Sequence, residues 1–138
     1  MTWIVYAALS AVAAALTAIF GKIGVEGVPS NLATAVRTVV IVVMVWAVTF
    51  TFGEHRALSA ISRRSLTFLI LSALTTGASW LAYYRALQLA PASRVAPIDK
   101  LSLPITLILA MLFLGEAMTW RLAVGVGLMT VGAILTMD

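Results

Sequence analysis

Four ionisable side chains lie inside or at the edge of otherwise apolar stretches of this sequence: Arg37, Arg85, Asp99 and Lys100. Charged groups in such surroundings are costly, so they normally face a cavity or a partner. A guanidinium or ammonium there can hold an anion, and a carboxylate there can take up and release a proton. Enzyme chemistry needs more than this. No paired carboxylates, nucleophile–base set or phosphate-cradling glycine loop accompanies them, and Gly21–Gly24 is too slight to serve as one. Cysteine is absent and the one histidine, His55, stands in a charged loop. Disulfides, thiolate chemistry, a metal cluster and a bound cofactor are therefore not expected. The residues suit solute binding, not catalysis.

The elements that position them are set by composition. Of 138 residues, 62% are hydrophobic and only 10% are charged, against about 25% charged in a soluble domain. The net charge of +4 is spread along the chain, so it forms no basic patch for nucleic acid. The expected class is all-α: an integral membrane bundle of five transmembrane helices in one domain, 1–138. Apolar runs long enough for a bilayer core fall at about 3–22, 31–52, 66–89, 96–114 and 120–137. The first lacks the basic leader of a signal peptide. Trp3, Trp46, Trp80 and Trp120 fall mostly near span ends, as an aromatic belt would place them.

Helical spacing groups the polar residues within the spans. In the second span Asn31, Thr34, Arg37 and Thr38 share a face, and in the third Ser72, Thr76, Ser79 and Tyr83 form one stripe. The fourth opens on Asp99, Lys100 and Ser102. Asp99 and Lys100 are neighbours that should point about 100° apart on a helix, so partners for each are expected elsewhere, at Arg37, Arg85 or a wet vestibule. Pro104 has no N–H, so a kink and a free Lys100 carbonyl are expected beside them. Threonine and serine can also be satisfied by their own helix, and Lys22, Arg85 and Arg94 by lipid headgroups. The candidate cavity lining is Asn31, Arg37, Ser79, Tyr83, Asp99, Lys100 and Ser102, with Asp99 the proton-coupling candidate. Ala7, Ala11 and Ala15, and Ala123 with Gly127, give small faces for close helix packing.

The run Tyr84 to Ser93, Y-R-A-L-Q-L-A-P-A-S, continues through Val95, Pro97, Leu103–Pro104–Ile105 and Leu114–Gly115–Glu116 to Gly125, Gly127 and Gly132. This ordered set resembles the EamA-type repeat of the drug/metabolite transporter superfamily. The resemblance implies transport of a small metabolite or drug-like solute by alternating access, as an exporter or exchanger. Most members carry two inverted five-helix repeats, whereas this sequence carries one. A second chain is therefore implied, either an antiparallel homodimer or a related chain in a heterodimer. The smaller four-span multidrug relatives depend on a glutamate in their first helix, and here the first span has no ionisable side chain. Three bases against one acid near the cavity favour a substrate with a carboxylate or phosphate. Glu116 is read as structural, holding the turn into Trp120 and Arg121.

The expected function is a secondary transporter in the plasma membrane, the inner membrane in a bacterium. A carrier-lipid flippase subunit or a non-transporting accessory membrane subunit are the alternatives. The partners are the lipid bilayer, a small-molecule substrate and the second chain, with no nucleic acid. Four basic residues fall on the side of the N-terminus (Arg56, Arg63, Arg64, Arg121) and five towards the other side (Lys22, Arg37, Arg85, Arg94, Lys100). So even a split sets orientation weakly. Reporter fusions to both termini should therefore reveal both orientations in one membrane. A single orientation would instead require a separate, inverted partner.

Overall fold

The computed structural model describes residues 2–137. It is all-α. Helix α1 spans Thr2–Gly24, α2 Ser30–Thr51, α3 Arg63–Leu89, α4 Ala92–Asp99, α5 Ser102–Leu109 and α6 Trp120–Leu135. A 3₁₀ turn occupies Glu54–Ala60, and a π-turn, Ala110–Leu114, continues α5. Four stretches are long and apolar enough to cross a bilayer: α1, α2, α3 and the broken helix Ala92–Leu114. Helix α6 is apolar but has 16 residues. That is roughly 24 Å at 1.5 Å per residue, short of the ~30 Å hydrocarbon core.

Each boundary has a local cause. Gly27, Gly53 and Gly115 take positive φ angles, which a side chain would resist, and they end the helical runs before them. Pro29 and Pro91, both extended, immediately precede α2 and α4. The fourth span thus begins at Ala92 rather than at the expected 96. Helix α3 begins at Arg63, where Ser62 Oγ accepts from the Ser65 N–H at 3.0 Å. Thr119 caps α6, its hydroxyl accepting from the Leu122 N–H at 3.3 Å. The Glu116 N–H bonds back to the Ala110 carbonyl at 3.3 Å. The turn before α6 is therefore held by backbone, Gly115 and Thr119, not by the Glu116 carboxylate.

Pro104 acts differently from the expectation. The helix breaks at Lys100–Leu101, and Pro104 lies in the first turn of α5, where a missing N–H costs little. The Lys100 carbonyl is not free. It accepts from the Leu103 N–H at 2.9 Å. Inside α4, Pro97 is the proline without a donor.

Two compact units make up the chain, one of residues 20–88 and the other of residues 1–19 with 89–138. In the second of these, α4 and α5 both pack on α6, and Val95 and Ala133 are buried. In the 20–88 unit the buried apolar residues are Val25, Tyr84 and Leu87, and Leu87 is fully enclosed. Apolar side chains elsewhere face outward, from Trp3 on α1 to Phe113 at the π-turn. Apolar surface on this scale is membrane surface. The small faces at Ala7, Ala11 and Ala15 are also exposed.

Gly21 lets α1 approach α3 closely. A Cβ at this position would lie 3.1 Å from Tyr84 Oη and 3.3 Å from Leu87 Cδ1. Both neighbours are buried, so neither can yield cheaply. Gly21→Val should cost about 1–3 kcal/mol by overpacking, read as a lower unfolding midpoint in mixed micelles. An unchanged midpoint would show that this end of α3 is loosely packed.

Candidate functional site

Within the 20–88 unit, α2 and α3 border a groove of about 690 Å³. Asn31, Thr34, Ala35 and Thr38 line it from α2, and Ser72, Thr76, Gly77 and Trp80 are among its residues on α3. The volume falls in the range of small-molecule sites, and a mostly apolar wall with a few polar groups is usual for them. Thr34 and Thr38 spend their hydroxyl protons on the carbonyls of Ser30 (2.9 Å) and Thr34 (2.8 Å). The hydroxyls of Ser72 and Thr76 and the amide of Asn31 make no hydrogen bond to another described residue. These are the polar groups a ligand in the groove would meet.

Arg37 is half-buried. Its guanidinium carbon lies 4.2 Å from the Trp80 ring centroid and 4.9 Å from that of Tyr84. The two rings, one helical turn apart on α3, form a platform for it. Among the described residues it has no ion pair and no hydrogen bond. Such ring contacts contribute about 0.5–2 kcal/mol, whereas taking a charge out of water costs several. The platform positions the cation without neutralising it.

Beside the platform, the C-terminal end of α3 is clamped to the loop between α1 and α2. The last carbonyls of a helix have no partner within it, and Lys22 Nζ donates to that of Leu87 at 2.6 Å. The lysine charge also complements the helix dipole there. Gln88 Nε2 donates to the Val28 carbonyl at 2.6 Å, and Gln88 Oε1 accepts from Arg85 Nη1 at 3.0 Å. Lys22 and Arg85 are thus tied to the protein at this end of the bundle.

The residues singled out by spacing fall into two groups. Asn31, Arg37, Ser79 and Tyr83 belong to the 20–88 unit, but only Asn31 lines the groove and Arg37 adjoins it through Trp80. Ser79 and Tyr83 are outside the lining, and the Tyr83 ring stands 6.4 Å from that of Tyr84. Asp99, Lys100, Ser102 and Pro104 belong to the other unit. Asp99 and Lys100 do pair, with Lys100 Nζ 3.1 Å from Asp99 Oδ2. Lys100 keeps a right-handed helical backbone conformation as the cap of α4, and its long flexible side chain brings the ammonium to the carboxylate. Trp80, grouped with the belt by its residue type, was missed as a wall of the groove. The available signal was its four-residue spacing from Tyr84.

Helices of bilayer length, bearing a polar-spotted groove, define a polytopic membrane protein. The chain belongs to the EamA-like transporter family, whose model matches residues 1–138. It is 48% identical over 134 residues to a Sinorhizobium sp protein described as an uncharacterized transporter in the cobO 3' region, covering 97% of this chain and 95% of that one. No solved structure matches it. The family is one of membrane transporters.

Gln88 supplies the link between α3 and the α1–α2 loop. Gln88→Leu keeps the size but removes the donor from Val28, a loss of about 1–3 kcal/mol if the carbonyl stays unpaired. Amide hydrogen exchange across residues 25–31 should accelerate. Exchange at the wild-type rate would show that the loop is fixed by other contacts.

Proposed function

We propose that this chain is a secondary transporter of a small metabolite that works by alternating access as a dimer of inverted repeats. The observation that carries the reading is the groove beside Arg37, a solute-sized space bordered by unsatisfied polar groups within a family of transporters. These 138 residues form one repeat, and in this scheme the other half comes from a second copy of the chain, oppositely inserted, or from a related chain. The near-even spread of basic residues and the exposed small face of Ala7, Ala11 and Ala15 support this arrangement. The relative from Sinorhizobium sp supports the inner membrane of a bacterium as the location.

Asp99 is the proton-carrying group in this scheme. It stands at the break in the fourth span with Lys100 as its counter-charge, and bent or broken helices recur at transporter sites. Within residues 20–88, Asn31 lines the groove and Arg37, beside it on Trp80, contributes to substrate affinity.

The protein reconstituted alone in liposomes should carry solute down an imposed pH gradient. Asp99→Asn should abolish that gradient-driven flux while insertion and helical content stay at wild-type levels. Undiminished flux in the variant would remove Asp99 from proton coupling, and no flux from any reconstitution would leave an accessory subunit.

A further inference from the structure

Among the charged groups of the 20–88 unit, Arg37 alone is stacked on two aromatic rings. Lys22 has the Leu87 carbonyl and Arg85 has the Gln88 amide. Arg37 instead has the faces of Trp80 and Tyr84, with no protein oxygen on its N–H groups among the described residues. A guanidinium carries five N–H donors in one plane. Ring contact at 4.2 Å holds the guanidinium carbon over Trp80, and the N–H donors have no acceptor among the described residues. The planar fork of these donors matches the paired oxygens of a carboxylate or phosphate.

Arg37 is also far from the start of its helix. It is the eighth residue of α2, roughly 10 Å along the axis from Ser30 at 1.5 Å per residue. Its side chain is committed to the two rings on α3 rather than left free to follow the headgroups. Trp80 joins this platform to the groove, since the same side chain lines both. Beyond Trp80 the lining turns to Leu69, Ala73, Gly77 and Leu81, with Ser72 and Thr76 as its isolated hydroxyls. The space is too large for a bare inorganic ion and its wall is mostly apolar.

We infer that Arg37, held on Trp80 and Tyr84, is a binding site for an anionic oxygen group whose apolar body lies along the α2–α3 groove. The preferred ligand is a small amphiphilic anion, a carboxylate or monophosphate on a short apolar skeleton. This deepens the transporter reading and rests on it for calling that ligand a substrate. The same chemistry is offered by a solute and by the phosphate of a lipid, and the two are separable by experiment.

The test uses the full chain with Trp3→Phe, Trp46→Phe and Trp120→Phe, so that Trp80 is its one indole, in nanodiscs of phosphatidylcholine. Four probes share one skeleton: butanoate, butyl phosphate, butyltrimethylammonium and butanol. The two anions should change Trp80 emission saturably, with at least tenfold lower half-saturation than the cation or the alcohol. Arg37→Gln should weaken the anion response tenfold or more, and Arg37→Lys should restore part of it. Charge selectivity in the unsubstituted Arg37 background is decisive even where a variant folds poorly. Equal responses to all four probes, no response to any, or full anion binding in folded Arg37→Gln would overturn the site.

Nanodiscs containing phosphatidylglycerol identify the source. Loss of the butanoate response there assigns the site to the headgroup of an anionic lipid, and its persistence assigns it to a solute. Flux measurements bear on the transporter reading separately. Anion binding without flux keeps the site and removes the transporter, whereas flux without anion-selective binding does the reverse.

Discussion

A backbone carbonyl without a donor is expensive in lipid, and this constraint governs how the 20–88 unit is assembled. The last carbonyls of α3 have no partner within the helix, and where they are part-buried the protein supplies one itself. Lys22 reaches the Leu87 carbonyl and Gln88 reaches that of Val28. These bonds fix the last turn of α3 against the end of α1 and the loop before α2. Once that turn is fixed, Leu87 is enclosed, Tyr84 lies against Gly21, and the rings beneath Arg37 have a defined place. The site inherits its geometry from the satisfaction of two carbonyls.

The same rule explains why so many polar side chains in the helices contribute no site. Thr17, Thr49, Thr51, Thr67 and Thr130 each donate to the carbonyl four residues earlier. A hydroxyl spent in this way can stand in an apolar face without a partner chain or water. Around the groove, what remains after these local bonds is a short set: Asn31, Ser72, Thr76 and the neighbouring Arg37 guanidinium. Solvation by the helix itself therefore acts as a filter, separating residues that merely tolerate the membrane from those with capacity to hold a ligand.

Much of the architecture was legible in sequence because lipid solubility leaves a strong mark. Long apolar runs gave the helices, and the breaks near Gly27, Gly53 and Gly115 gave their ends. The details at the fourth span were not legible. Spacing arguments assumed one continuous helix through Asp99, Lys100 and Pro104, yet the chain breaks at Lys100–Leu101. At that break the Lys100 carbonyl is occupied, and the Lys100 side chain reaches the neighbouring Asp99 carboxylate. The site was half legible for a related reason. Periodicity places Asn31 and Arg37 on α2, but it cannot pair a cation with rings on another helix, so Trp80 read as an anchor. Of the expected stripe, Ser72 and Thr76 line the groove together with Ala73, Gly77 and Trp80, whereas Ser79 and Tyr83 fall outside it.

The residues that carry the family resemblance and those that border the groove are largely different sets. In the run from Tyr84 to Ser93, Tyr84 and Leu87 are buried and Gln88 is a clamp. Later in the pattern Gly115 supplies a left-handed turn. These are requirements of assembly, and they apply to any member that folds this way. Asn31, Thr38, Ser72, Thr76 and Trp80 lie outside that pattern, and so does Arg37. Tyr84 alone serves both, packing on Gly21 with one part of its ring and bearing Arg37 on it. In this chain the groove and the clamp are built from separate residues, so a change in the groove leaves the clamp's hydrogen bonds in place. Tyr84 is the exception, the one position where a change in the anion platform would also disturb the packing of α1 on α3.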